Sequence, residues 1–290
     1  MSENEKLRLL STLRREEIDP WLTTREREQT YWANQDMRWS YNERRYKKLL
    51  QYHPGGLLLY LYGNSGQVEH LFDLFRKVFE AIAEQGVNAE ERGYLSGIVR
   101  RVDEQYYTDE WAKCCLLLYK KELLQKPPLC LQRLFFRHPD KMKMFLEENP
   151  SRSFDVENDY YLPEEAYQDK RAFDCWAECL YEEFPEILGY IMGKSCNGKD
   201  GAFPHEFIRE FLEKQQNEKL TKAVFYGKFN SRGARIVQDG RTLYEQAKCY
   251  RAQARELRLK FPQSAKILLQ LAKWMESEAQ HDQLEAEIVP

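Results

Sequence analysis

Long apolar runs are missing from this 290-residue sequence. The longest, Gly55 to Tyr62, follows Pro54 directly and is far shorter than the roughly 20 apolar residues that a membrane-spanning helix needs. The first residues, Met1 to Arg15, alternate charges with leucines and lack a hydrophobic stretch followed by a small-residue cleavage site. We therefore expect a cytoplasmic protein that has neither a membrane span nor a secretory signal.

A disulfide framework is also missing. The chain has seven cysteines, an odd number, and their spacing is irregular. Cys114 and Cys115 are adjacent, and Cys115 begins an apolar run in which a thiol serves as a small hydrophobic group. This pattern predicts reduced cysteines.

Metal-binding motifs are incomplete. Cys175 and Cys179 lie one turn apart on a predicted helix, and Cys196 and His205 follow at distances that could complete a four-ligand zinc site. The tight turns that hold such ligand pairs are absent, so buried cysteines are the favoured interpretation. The segment from His205 to Arg209 opens like a zinc-protease motif, but that motif requires histidine where Arg209 stands. We predict no metal and no cofactor.

Catalytic motifs are missing as well. The segment Gly63 to Gly66 lacks the Lys-Ser/Thr pair of a phosphate-binding loop, which favours a simple turn. His53 and His138 each precede a proline, and neither has an identifiable carboxylate or nucleophile nearby in sequence, so packing or capping roles are favoured. The sequence thus indicates no catalytic residue, and we expect a protein that is not an enzyme.

What the sequence does contain is a recurring boundary between helices. Four times an apolar helix end runs into His or Phe and then proline, which lacks the N–H of a helix interior but fits a first turn. The prolines are Pro54, Pro139, Pro185 and Pro262. They are spaced at roughly two, one and two units of about 40 residues, as in two-helix solenoid repeats. We predict an all-α protein of packed helical hairpins, arranged as a HEAT-like solenoid, with each proline in the first turn of a helix.

The chain divides around a polar stretch. Residues 149–163 are rich in Ser, Asn, Asp and Pro, which predicts a long loop between an N-terminal helical half, 1–148, and a C-terminal half, 164–290. Two long helices, Thr242 to Lys260 and Gln263 to Glu287, are expected to form an antiparallel pair at the end. Just before them, residues 234–240 could form a short β-hairpin because they include an Asp-Gly pair, although an ordered loop is an equal alternative.

Charge is distributed unevenly. The 51 residues from Asp140 to Tyr190 contain 14 acidic and 5 basic residues, a local balance of −9 against a net charge of −3 for the whole chain. The rest of the chain therefore carries +6. The molecule has an acidic middle, which could contact a basic partner.

Two segments are candidate interfaces. An N-terminal cluster mixes aromatic and basic residues, which could stack on single-stranded nucleic acid but favour a protein interface because acidic residues dilute them. The residues in question are Trp32, Trp39, Arg44 and Arg45. The second segment is the predicted loop 230–241 with Arg232, Arg235 and Arg241, whose guanidinium groups could contact a carboxylate or phosphate. Alternatively, Arg232 pairs internally and only fixes the loop.

The last third of the chain carries a family resemblance. The runs 225–234, 244–254 and 261–268, with Glu278-Ala279-x-x-Asp282, resemble the C-terminal α-helical region of large, uncharacterised bacterial proteins, some of them from anti-phage defence or mobile-element gene clusters. The segments at Pro54 and at 131–139 resemble the preceding part of that region. The resemblance brings no catalytic residues with it. It implies a separate subunit that acts on partners.

Together these observations predict a non-enzymatic interaction or adaptor subunit of a bacterial multiprotein system, with proteins of the same operon or complex as partners and no membrane contact. Two alternatives stay open. A nucleic-acid-binding accessory protein would bind less tightly as salt rises, and an inhibitor or immunity-type protein would use an acidic face against a basic toxin or nuclease.

Overall fold

A computed structural model describes residues 50–51, 54–152, 156–157, 159–231 and 240–288. This part of the chain is all-helical and contains no β-strand. Its twelve α-helices are α1 (Leu58–Gly63), α2 (Val68–Gln85), α3 (Ala89–Asp103), α4 (Asp109–Lys120), α5 (Leu129–Arg137), α6 (Pro139–Glu148), α7 (Lys170–Tyr181), α8 (Pro185–Gly193), α9 (Glu206–Gln215), α10 (Glu218–Asn230), α11 (Arg241–Leu257) and α12 (Pro262–Ile288).

The helices form two compact units, Met1–Leu131 and Gln132–Pro290, so the division falls within α5. The predicted loop 149–163 lies in the second unit. Its described part includes a short 3₁₀ turn at Pro150–Arg152.

The core of the first unit is aromatic. The buried face of α2 presents Phe75 and Phe79 to Trp111 of α4, with ring centroids 6.0 and 5.5 Å apart. Polar residues fix where the next helices begin: Asn88 and Glu91 form a reciprocal capping box at α3, and the Thr108 hydroxyl accepts a hydrogen bond from the Trp111 backbone N–H at α4. Aromatic burial and helix capping together therefore determine where α2 to α4 lie.

The predicted proline boundaries are present. Pro139, Pro185 and Pro262 are each the first residue of an α-helix, and Pro54 begins a 3₁₀ turn, Pro54–Leu57, that runs directly into α1. A missing N–H costs nothing at these positions, because the first helical N–H groups have no partner within the helix.

In the second unit, α8 and α10 pack backbone to backbone. A Cβ added at Gly227 would lie 2.2 Å from the Tyr190 carbonyl oxygen, and one at Gly193 would lie 2.3 Å from the Val224 oxygen. The two helices approach this closely only because glycine stands at both crossing positions.

The predicted antiparallel pair is also present as α11 and α12. Small and apolar side chains fill the space between them: Leu243, Ala247, Ala272, Met275 and Ala279. Gly240, with φ +75°, leads into α11, and a Cβ there would lie 2.5 Å from the Ala279 carbonyl oxygen. The predicted β-hairpin at 234–240 lies almost wholly outside the described residues. Within the described part, no helix combines the length and apolar character that a bilayer crossing requires.

Candidate interaction surfaces

A buried polar cluster lies at the end of α3 in the first unit. One Asp103 carboxylate oxygen accepts a hydrogen bond from the Trp111 indole N–H at 2.8 Å, and the other accepts one from the Cys130 backbone N–H at 3.2 Å. Burial raises the pKa of Asp103, and these hydrogen bonds oppose the rise. Burial also raises the pKa of the Cys115 and Cys130 thiols. The cluster ties α3, α4 and the start of α5 together.

The same cluster is the group in the described part of the chain whose donor atoms come closest to a metal-binding arrangement. The two sulfurs and a carboxylate oxygen of Asp103, Cys115 and Cys130 lie within 4.8 Å of one another. Structural zinc takes four ligands and needs thiolates. Here three donors meet, and burial favours the protonated thiols, so the arrangement fits a hydrogen-bonded core.

The zinc ligands considered from the sequence do not come together among the described residues. Cys175 and Cys196 are exposed and Cys179 is half-buried, so the prediction that these cysteines are buried core residues is wrong for Cys175 and Cys196. His205 is buried, its ring centroid lies 4.8 Å from those of Tyr167 and Phe207, and its Nδ1 accepts a hydrogen bond from the Phe207 backbone N–H. Burial lowers the pKa of His205, which favours the neutral ring. This histidine therefore begins and anchors α9.

Arg209, which stands where the zinc-protease motif requires histidine, has a structural partner. Its side chain is 2% exposed and donates two hydrogen bonds to the Asp200 carboxylate, at 2.7 and 2.8 Å. That charge-assisted pair holds the pKa of Asp200 below its usual range. Arg209 thus fastens the loop before α9 to the core of the second unit.

Basic residues cover one side of the α11–α12 pair. Lys248, Arg251 and Arg255 stand at i, i+3 and i+7 and so share one side of α11. Leu269, Lys273 and Glu276 stand at i, i+4 and i+7 and share one side of α12. Arg251 donates two hydrogen bonds to Glu276, at 2.7 and 2.6 Å, which joins these two sides into one surface. We call the surface made by Lys248, Arg251, Arg255, Leu269 and Lys273 the basic face.

The basic face lies in a segment of strongly positive charge. Residues 241–273 contain eight basic and two acidic residues, a local balance of +6. Lys248, Arg255 and Lys273 are exposed, and Leu269 among them is 40% exposed. Lys248 pairs with Glu245, but both side chains are more than half exposed, so that pair is weak. An acidic surface is the natural complement.

Acidic residues gather on α6 and just after α7. Asp140, Met144 and Glu147 lie on the exposed side of α6, and Glu182 and Glu183 follow α7. These five residues are the acidic face.

Contacts join the two parts of the acidic face. The Lys143 ammonium lies 2.5 Å from a Glu183 carboxylate oxygen, which connects α6 to the end of α7. Burial raises the pKa of the neighbouring Cys179 thiol; the Lys143 ammonium opposes this rise, and the carboxylates of Asp140, Glu182 and Glu183 add to it. Met144, in the middle of the face, is 54% exposed.

Of the interface residues predicted from the sequence, Arg241 is described: it is exposed and begins α11. Trp32, Trp39, Arg44, Arg45, Arg232 and Arg235 lie outside the described residues, so their roles stay predictions. The segment Gly63 to Gly66 is a turn in which the Ser65 hydroxyl donates to the Tyr62 carbonyl oxygen, as the simple-turn interpretation expects.

Sequence reasoning missed the basic face. The signal was available, because the i, i+3, i+7 spacing of Lys248, Arg251 and Arg255 falls on a helix that the sequence itself predicts. Comparison with known proteins adds no further candidate: no family model, curated protein or solved structure matches this chain.

Proposed function

We propose that this chain is a non-enzymatic interaction or adaptor subunit of a bacterial multiprotein system, working in the cytoplasm on proteins of the same operon or complex. The link to anti-phage defence rests on the resemblance of the last third of the chain. The contact role rests on the two charged faces of the second unit.

The observation that carries the proposal is the separation of these faces. In the second unit α6 packs on α7, α7 on α8 and α9, α9 and α10 on α12, and α12 on α11. The acidic face is therefore carried by the first two helices of this order and the basic face by the last two. A subunit with opposite charges at its two ends can hold two different surfaces at once, which is what an adaptor does.

The engagement of polar groups supports a contact role over catalysis. In the described part of the chain, the buried carboxylate of Asp103 accepts two hydrogen bonds, the guanidinium of Arg209 is paired, and His205 packs between aromatic rings. A general acid or base must be free to reach a substrate proton. These groups instead fix helix ends and loops.

We also propose that the helices stack as a HEAT-like solenoid. The packing of three consecutive pairs, α6–α7, α7–α8 and α11–α12, and the proline-led starts of α6, α8 and α12 support this arrangement, while α8 also packs on α10 and α9 on α12. Solenoids present long surfaces for protein contacts, which suits an adaptor.

The test is recovery of partners from the native host by a tagged chain, compared among three variants that each reverse three exposed charges. The basic-reversed variant is Lys248→Glu, Arg255→Glu and Lys273→Glu, and the acid-reversed variant is Asp140→Lys, Glu147→Lys and Glu182→Lys. The matched control is Lys113→Glu, Lys219→Glu and Lys222→Glu, all exposed and outside both faces.

We expect quantitative mass spectrometry to show a defined set of proteins that is lost with one reversed face and kept with the control. Equal recovery with all three variants would refute the adaptor role. Loss with the control as well would mean that overall charge, and not a face, determines recovery.

The basic face gives the nucleic-acid alternative its own support. A positive surface on a rigid helix pair can neutralise phosphates, and the affinity would then fall steeply with salt. Fluorescence polarisation with single- and double-stranded oligonucleotides, for the wild type and the basic-reversed variant, decides this. Binding that requires Lys248, Arg255 and Lys273 would favour the nucleic-acid role over the protein adaptor.

A further inference from the structure

We propose that copies of this chain associate head to tail, with the basic face of one copy bound to the acidic face of the next. This inference rests on the proposed function, because it assigns an occupant to the two faces that carry that function. It names a second copy of the chain as the partner.

The first argument is charge complementarity. In the basic face, Arg251 is paired with Glu276 and Lys248 forms a weak, exposed pair with Glu245, so Arg255 and Lys273 contribute most of the positive charge. In the acidic face, Glu183 is paired with Lys143, and Asp140, Glu147 and Glu182 contribute the negative charge. The two faces therefore carry charge of opposite sign. Such matching promotes encounter and fixes which surfaces meet.

The second argument is the exposed apolar side chain on each face. Leu269 is 40% exposed among the basic residues, and Met144 is 54% exposed among the acidic ones. Protein interfaces combine an apolar centre with a polar rim. Leu269 and Met144 would bury each other when the charged rims meet, and Met adapts its shape readily to a partner side chain.

The third argument is the position of the faces in the fold. The acidic face lies on α6 and the end of α7, and the basic face lies on α11 and α12 at the other end of the packing order. The faces differ from each other, so the contact joins unlike surfaces and leaves one face open at each end of a pair. Contacts of this type produce rings when the rotation closes and filaments when it does not.

The decisive experiment measures the mass of the full chain by light scattering and sedimentation equilibrium at about 100 µM, a concentration that reveals association of micromolar strength. In low salt, about 0.05 M, we expect species larger than a monomer. In about 0.5 M salt, where exposed charges are strongly screened, we expect the association constant to fall about tenfold.

The variants make the test specific. The basic-reversed variant has two acidic faces and the acid-reversed variant has two basic ones, so each alone should stay monomeric. An equal mixture of the two should associate again, because opposite faces are restored between the variants. The Lys113, Lys219 and Lys222 control should behave as the wild type, and circular dichroism confirms that each variant is folded.

Three outcomes overturn the proposal: a wild type that is monomeric in low salt, an association that both reversed variants retain, or a mixture that fails to associate. Loss of the larger species after nuclease treatment also overturns it and shows that nucleic acid bridges the copies. Each result applies to the full chain.

Failure here is distinguishable from failure of the adaptor role. If the wild type is monomeric while the reversed variants still lose proteins recovered from the host, the adaptor role stands and self-association falls. If copies associate as described and no host protein depends on either face, self-association stands and the adaptor role falls.

Discussion

The two closest helix pairs of the second unit are held together by opposite means. Between α8 and α10 the backbones meet through Gly193 and Gly227, with no room for a side chain. Between α11 and α12 alanines fill the gap, and an exposed ion pair, Arg251 with Glu276, spans the edge. The difference separates stability from recognition. A substitution at the α8–α10 contact should destabilise the fold, whereas the α11–α12 pair has exposed charged side chains that can contact a partner.

The comparison predicts its largest effect at Gly227. Gly227→Ala places a Cβ about 2.2 Å from the Tyr190 carbonyl oxygen, so the helices must separate, and we expect a loss of about 3 kcal/mol of unfolding free energy. Chemical denaturation measures it. Gly93→Ala on α3 is the control, because nothing lies near its Cβ and helix propensity predicts a gain of about 1 kcal/mol. A neutral Gly227→Ala variant would show that the close approach is not required.

Gly240 is the point at which the second pair resembles the first. Gly240→Ala combines a positive φ of 75° with a Cβ 2.5 Å from the Ala279 carbonyl oxygen, and we expect a loss of about 2 kcal/mol. Thermal unfolding measures this loss. Gly201→Ala, where φ is +76° and no atom lies within 4 Å of the Cβ, reports the cost of a positive φ without a packing contact. Equal losses at the two sites would contradict a packing contribution from Ala279.

A pH-dependent effect is expected from Lys194, which follows α8. Its ammonium donates to the Glu157 carbonyl oxygen and lies 4.8 Å from the centre of the Tyr161 ring, and burial lowers its pKa from 10.5 to about 8. The unfolded chain then binds more protons than the folded one between these values. Stability should therefore rise as pH increases from about 8 to 10.5. Thermal midpoints across this range, for the wild type and Lys194→Met, would refute this if the two profiles have the same slope.

The smallest effect is expected from the ion pair on the basic face. Arg251 hydrogen-bonds Glu276 and holds the pKa of that carboxyl below 4.5, so its stabilising contribution is present above pH 4.5 and is lost as pH falls through the lowered value. Both side chains are about one-third exposed, so the coupling is small. A double-mutant cycle with Arg251→Ala and Glu276→Ala measures it. If the coupling energy between Arg251 and Glu276 were as large as the loss caused by Gly227→Ala, the ion pair would stabilise its helix pair as much as the glycine contact does, which would contradict the comparison.

Much of the fold could be predicted from local signals. The periodic apolar face predicts a helix from Val68 to Glu84, and α2 spans Val68–Gln85. The Phe261-Pro262 turn predicts the final antiparallel pair. Such features depend on residues a few positions apart, which the sequence displays directly.

The candidate sites were harder to predict from the sequence, because each depends on residues that are far apart in the chain. Asp103 gains its role only when Trp111 and Cys130 fold against it, and neither partner is evident from the spacing. The composition shows that the middle of the chain is acidic. Which of its acidic residues form one surface depends on the contact between Lys143 of α6 and Glu183, which the composition does not show. The division of the chain at 149–163 and the interface residues near the N-terminus stay predictions.

Arg209 has a consequence for how this protein can change over generations. One substitution, Arg209→His, would complete the zinc-protease pattern that begins at His205. The same substitution would strip Asp200 of the cation to which it is bonded and release the loop before α9. A change that looks one mutation long in the sequence would therefore carry a cost in stability, and a second substitution that holds the loop would be needed to offset it.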